Sequence, residues 1–189
     1  MLYQIINLVV NTAGALLVGA CLMRLWMQQR RIPMHNAVGT FVMALTDWLV
    51  RPLRRIVPGV AGVDWASLVA AFVISILAAL ILDMAYMLMI GFIRPPAIEF
   101  LLLHAVAYLA NGALYLGQLV VFLVFALSWL NPFSPVLPIL DALTAPLLRP
   151  IRKVLPNFGR VDLSPLVLFV LLQIGQIVLG NLVGRGPVG

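Results

Sequence analysis

The chain has 189 residues, 63% of them hydrophobic and only 10% charged, and its 12 Lys and Arg against 6 Asp and Glu give a formal net charge of +6. A water-soluble domain carries about a quarter charged residues, so this composition excludes a soluble globular fold and calls for lipid around much of one membrane domain. The basic residues sit beside apolar runs, which points to anionic lipid rather than nucleic acid as their counterpart.

The first apolar run, from about Leu2 to Trp26, has no Lys or Arg before Arg24 and is too long for the core of a cleaved signal, so it reads as a retained span. Cys21 lies inside it without a cysteine partner, which excludes a disulfide framework and a Cys-based metal site; it reads as a small hydrophobe. A loop follows over 28–64. Trp65 to Ile93, with Asp83 as its only charge, predicts the second span.

Ala97 to Leu130 is long for one crossing, at about 51 Å as a helix. An interfacial or tilted start to about Ala110, near the Asn111–Gly112 pair, then a span to Leu130 is the expected solution, because two passes of about 15 residues would each be too short. After a second loop over 131–164, Pro165 to Val183 gives the fourth span. Nine of the 12 basic residues lie in the two loops. With four spans both loops fall on one side, and the positive-inside rule places them in the cytoplasm with both termini outside. Trp26, Trp48, Trp65 and Trp129 fit the same interface.

Shifting the first loop by 98 residues superposes it on the second without a gap, and ten of the 24 positions from Leu45 to Leu68 are then identical. Leu45-Thr46 matches Leu143-Thr144, Arg51-Pro52 matches Arg149-Pro150, and Val63-Asp64 matches Val161-Asp162. The expected fold is therefore all-α, with four transmembrane helices arranged as two parallel repeats of span, amphipathic basic loop and span. The repeats cover about 1–93 and 97–184 of a single membrane domain, 1–189. Within each loop, a stretch of about 14 residues (Ala37 to Val50, Pro135 to Leu148) is too short to cross and suits an interfacial or re-entrant helix. A break is expected near Pro52 and Pro150.

The residues just after form cationic patches: Arg51, Arg54 and Arg55 in one copy, Arg149, Arg152 and Lys153 in the other. Such patches bind anionic headgroups, or they set topology, and the same residues serve either purpose. Asp64 and Asp162 stand just before spans two and four, placed to cap the helix start or to pair with a loop arginine.

The paired motifs Pro52-Leu53-Arg54-Arg55-Ile56-Val57-Pro58-Gly59 with Asp64-Trp65-Ala66-Ser67-Leu68, and Leu147-Leu148-Arg149-Pro150-Ile151-Arg152 with Val161-Asp162-Leu163-Ser164-Pro165, resemble the two halves of the YggT family (YlmG in other lineages). Asn131-Pro132-Phe133 and Arg24 with Gln28 fit it as well, whereas Asn36-Ala37 departs from the Asn-Pro common there. The resemblance implies a small multi-spanning protein of a bacterial inner membrane or a plastid membrane. It further implies links with cell division, membrane-complex or nucleoid organisation, or osmotic and ion tolerance, and it brings no catalytic residues.

The residues agree on the last point. His35 and His104 stand far apart without metal-ligand spacing, and no phosphate-binding loop motif occurs, so neither a cofactor nor a small-molecule substrate is expected. His104, Asn111 and Gln118 recur every seven residues and share a helix face. They read as a solvated path or as hydrogen bonds between helices. Ser67, Ala71, Ser75, Ala79 and Asp83 recur every four residues, a spacing that lets helices approach closely, with Asp83 expected to reach headgroup level. Two functions remain in competition. One is a non-enzymatic scaffold whose basic cytoplasmic face contacts anionic lipid or partner proteins. The other is an oligomeric channel or transport component.

Overall fold

The computed structural model describes residues 1–57, 59, 62–91, 96–154 and 162–183, and among these it is all-helical, with no strand. Six helices follow in chain order: α1 (Leu2–Gln29), α2 (Ala37–Ile56), α3 (Trp65–Met89), α4 (Ile98–Leu130), α5 (Leu137–Val154) and α6 (Ser164–Val183). Four of them, α1, α3, α4 and α6, are long and apolar enough to cross a membrane. Arg160 and the matched Pro58 and Pro156 of the loop repeat lie outside the described residues.

Helix pairs give the topology. Tyr3, early in α1, packs at a tilt on Tyr86, late in α3, with ring centroids 6.1 Å apart, while Arg24 near the end of α1 meets Asp64 at the start of α3, so these two helices are antiparallel. On the other side Gly117 of α4 faces Leu172 of α6, and Gly175 faces Leu114, again antiparallel. The two repeats meet along α1 and α4, which run in the same direction. The Tyr108 hydroxyl donates to the Val10 carbonyl at 3.0 Å, and Gly112 opposes Val18. Val10 and Tyr108 are themselves 98 residues apart, as are Gly14 and Gly112. The parallel repeat of the sequence is thus a packed structural repeat, and it brings α2 and α5 to the same end of the bundle.

Lipid tails are as apolar as leucine, so close approach rather than water exclusion holds such helices together. At the α1–α4 crossing a Cβ on Gly14 would overlap the Tyr108 hydroxyl, and one on Gly112 would sit 2.6 Å from Val18 Cγ1. The four-residue stripe of α3 does the same: Ser67, Ala71, Ser75, Ala79 and Asp83 are all buried. Val18 and Cys21 of α1, Val50 of α2 and Tyr108 of α4 complete its cluster. A second cluster joins α1, α2, α4 and α5 through Met27, Val42, Val120, Leu140 and Leu143. By contrast α6 buries only Ser164, Pro165 and Leu168 among its described residues.

Two local expectations change. α4 is one continuous helix through Asn111–Gly112. Gly112 serves the crossing with α1, and the 33-residue length is about 50 Å. Likewise α2 and α5 do not break at Pro52 and Pro150 but continue to Ile56 and Val154. A proline removes one backbone donor and frees one carbonyl a turn earlier. Both prolines lie on exposed faces close to the helix ends, where that carbonyl needs no protein partner. The departure at Asn36-Ala37 leaves helix entry intact, because Asn36 caps α2 by accepting from the Gly39 N–H at 2.9 Å.

Candidate functional site

An arginine five residues from the end of an apolar helix needs partners, because an unpaired buried charge is costly. Arg24 is 5% exposed. Its Nη1 donates to Thr46 Oγ1 at 3.1 Å and to Asp47 Oδ1 at 2.7 Å, and its Nε lies 3.6 Å from Asp64 Oδ2. Asp47 also pairs with Arg51, one turn on, at 2.8 Å. Asp64 caps α3, accepting from the Ser67 N–H at 3.3 Å and its hydroxyl at 2.7 Å, while it pairs with Arg54. Three helices are therefore tied at one end by a ladder of alternating charge, and Asp64 plays both of the roles its position suggested.

Electrostatics follow from these contacts. Burial raises the Asp47 carboxyl, but the hydrogen bond and charge of Arg24, with help from Arg51, outweigh it and hold Asp47 below its ordinary value. The same contest at Asp64 is decided by Arg54 and Ser67, again downward. Both groups stay ionised at neutral pH.

The second repeat keeps part of this. Arg152 donates to Asp162 through Nε at 2.8 Å, and Asp162 accepts from the Ser164 N–H at 2.9 Å. That pair is the counterpart of Arg54–Asp64, but both partners are 44% exposed and solvent screening weakens it. Burial raises the Asp162 carboxyl, and Ser164 and Arg152 bring it below the usual value. Arg24 and Asp47 have no charged counterparts, since Phe122 and Ala145 stand 98 residues on.

Of the six patch residues, Arg51, Arg54 and Arg152 are thus engaged by aspartates, whereas Arg55, Arg149 and Lys153 are exposed and form no ion pair among the described residues. Large apolar side chains lie exposed on the same two helices. These are Phe41, Trp48 and Ile56 on α2, and Leu147 and Val154 on α5.

The polar residues of α4 part ways. His104 Nδ1 lies 2.8 and 2.9 Å from the two oxygens of Asp83, the geometry of an N–H donated to a carboxylate. Asp83 is 3% exposed, and this contact clasps α3 to α4. Gln118 donates to Gln176 Oε1 of α6 at 3.2 Å. Asn111 instead lines a groove of about 1280 Å³ with Asn7, Asn11, Gln176 and Asn181 among mainly apolar neighbours. Sequence reasoning missed the central place of Arg24 and the partner of Asp83. The signals were present: a lone arginine in an apolar helix, and two polar residues each six positions from the facing ends of consecutive helices. Among the described residues no three His, Cys, Asp or Glu side chains gather as a metal site.

The family model described as CCB3/YggT matches residues 1–85 and 103–183. An uncharacterized protein of Vibrio alginolyticus is 31% identical over 180 residues, which is 94% of this chain and 95% of that protein. The uncharacterized protein YggT of Escherichia coli K12 is 34% identical over 157 residues, covering 81% of this chain and 77% of its own length. An uncharacterized protein of Pseudomonas aeruginosa is 33% identical over 179 residues, 92% and 88% of the two chains. No solved structure matches.

Proposed function

Since the chain belongs to the CCB3/YggT family, whose relatives named above carry no stated activity, we propose from the geometry that it is a non-enzymatic membrane organiser. Its working part is the end that carries α2 and α5. In this reading the protein sits in a bacterial inner membrane with that end in the cytoplasm, as the positive-inside rule favours. The two helices lie in the headgroup layer and hold anionic lipid, and through it partner proteins or further copies.

One observation carries the reading: Arg55, Arg149 and Lys153 lack ion-pair partners among the described residues, and exposed Trp48, Ile56 and Val154 share their helices. Cations beside apolar side chains on a short amphipathic helix suit the interface, where tails take the apolar groups and phosphates the charges. At about 1 kcal/mol per cation near an anionic surface, replacing all three with Gln lowers the retention of phosphatidylglycerol by purified protein by one to two orders of magnitude at low salt.

A second reading, the oligomeric channel, draws on a different observation. Gln176 Nε2 is buried without a hydrogen-bond partner among the described residues, beside a groove lined by four asparagines. Buried unpaired amides are costly, and water in a path between copies would satisfy them. Ion flux in protein-containing liposomes that Gln118→Leu abolishes supports this reading against the organiser; the organiser reading predicts no flux.

A further inference from the structure

A cavity of about 710 Å³ opens where α1 ends against α2 and the start of α3. Its polar wall is made by Arg24, Gln28, Arg31, Arg54 and Asp64, and Met43 closes an apolar side. We propose that this cavity is a binding site for a phosphate group, carried by a lipid headgroup or free in solution. The inference rests on the organiser reading only in taking this end to face the headgroups, since the exposed cations of that reading do not line the cavity.

Charge comes first. Three arginines and one aspartate line it, which gives the lining a formal charge of +2, suited to the negative charge of a phosphate. The partners outside the wall do not change this, because Asp47 is balanced by Arg51. Asp64 repels an anion, but Arg54 and Ser67 already engage it. The donors fit as well. Arg24 uses Nη1 on Thr46 and Asp47 and turns Nε to Asp64, while Nη2 makes no hydrogen bond to the described residues. Among the described residues the Arg31 side chain makes none. Planar guanidiniums bind phosphate oxygens in pairs, and the Gln28 amide supplies a neutral donor.

Backbone geometry adds an independent sign. Arg31 has φ 54, the left-handed region. It closes α1 at the position where glycine is usual, with the Arg31 N–H on the Gln28 carbonyl at 2.9 Å and the Ile32 N–H on the Met27 carbonyl at 3.0 Å. An arginine held there against its conformational preference is a residue whose side chain matters more than its backbone comfort. The internal repeat supplies a comparison within the molecule. The positions 98 residues after Arg24, Gln28 and Arg31 are Phe122, Ala126 and Trp129, whereas Arg54 and Asp64 keep their counterparts Arg152 and Asp162. The fold needs the Arg–Asp tie in both copies and forms the second copy without the other three groups. Those three belong to the cavity.

The test titrates the full chain in phosphatidylcholine nanodiscs with inorganic phosphate and, separately, with dioctanoyl phosphatidylglycerol. Arg31→Gly removes the guanidinium while relieving the left-handed residue, so it leaves thermal stability unchanged or higher. The proposal predicts that it weakens binding about tenfold or more, with a smaller loss for Gln28→Leu. Binding of both probes names the phosphate group itself as the ligand, and binding of phosphatidylglycerol alone names the lipid source. No binding of either, or wild-type affinity in Arg31→Gly, overturns the proposal. The Arg55→Gln, Arg149→Gln, Lys153→Gln protein separates it from the organiser reading. If that variant loses lipid retention while Arg31→Gly binds as wild type, the cavity falls and the organiser stands. If it retains lipid normally while Arg31→Gly loses the probe, the reverse holds.

Discussion

At the scale of single residues, Asp64 concentrates the physics of the basic end. It caps α3, holds Arg54 and faces buried Arg24, and Arg54 with Ser67 keeps it ionised against its burial. Its carboxyl lies below the ordinary value in the folded protein, as do Asp47 and Asp162. A lowered folded value stabilises above the unfolded value of about 3.9 and loses that contribution as pH falls through the folded one. Stability is therefore expected to be flat in pH from neutrality to about 4 as regards these groups, and to fall below it. Asp64→Asn should cost about 2 kcal/mol at neutral pH, because Arg24 keeps Asp47 but it and Arg54 lose a carboxylate, and should flatten the acid limb. Hydrogen exchange at the start of α3 across pH 3–7 measures both effects. Asp141 goes the other way: burial raises its carboxyl, so it opposes folding once ionised.

At the scale of elements, the α1–α4 crossing is the seam between the repeats. Gly112→Ala places a methyl 2.6 Å from Val18 Cγ1, and overpacking of that kind costs about 1–3 kcal/mol. The variant should melt several degrees lower, and Val18→Ala should restore much of the loss by making room. Thermal unfolding of the single and double variants checks it; equal melting of Gly112→Ala and wild type would show that the helices are not in close contact there.

Much of this scale was legible in the sequence. Apolar length located all four spans, the 98-residue repeat paired the loops, and the four-residue stripe named the buried face of α3. What escaped was set by three-dimensional neighbours. The close approach at Gly112 was not legible because nothing in the local sequence says that a partner helix lies against it. Pro52 and Pro150 looked like helix ends because the rule on proline does not see which face is exposed. The partner of Asp83 was hidden because His104 sits on the next helix, and Arg24 looked minor because Thr46, Asp47 and Asp64 come to it from two others.

At the scale of the whole molecule, the two repeats have diverged in the service they perform. Shared residues maintain the frame, namely the Arg–Asp ties, the buried threonines Thr46 and Thr144, and the paired glycines. Residues present in one copy alone, Arg24, Gln28 and Arg31, line the cavity proposed to hold a phosphate group. The peripheral α6 leaves a lateral groove in which the amides of the channel reading lie. The organiser reading concerns the opposite feature, a cationic and apolar surface on α2 and α5.

The measurement that bears most directly on that claim is lipid selection by the intact protein. Wild type and the Arg55→Gln, Arg149→Gln, Lys153→Gln variant are purified from mixed phosphatidylcholine–phosphatidylglycerol membranes at low salt, and the bound lipids are quantified. The account predicts strong enrichment of phosphatidylglycerol on the wild type, weakening with added salt, and a loss of most of it in the variant. Equal lipid composition on the two proteins, or no enrichment on either, would contradict it.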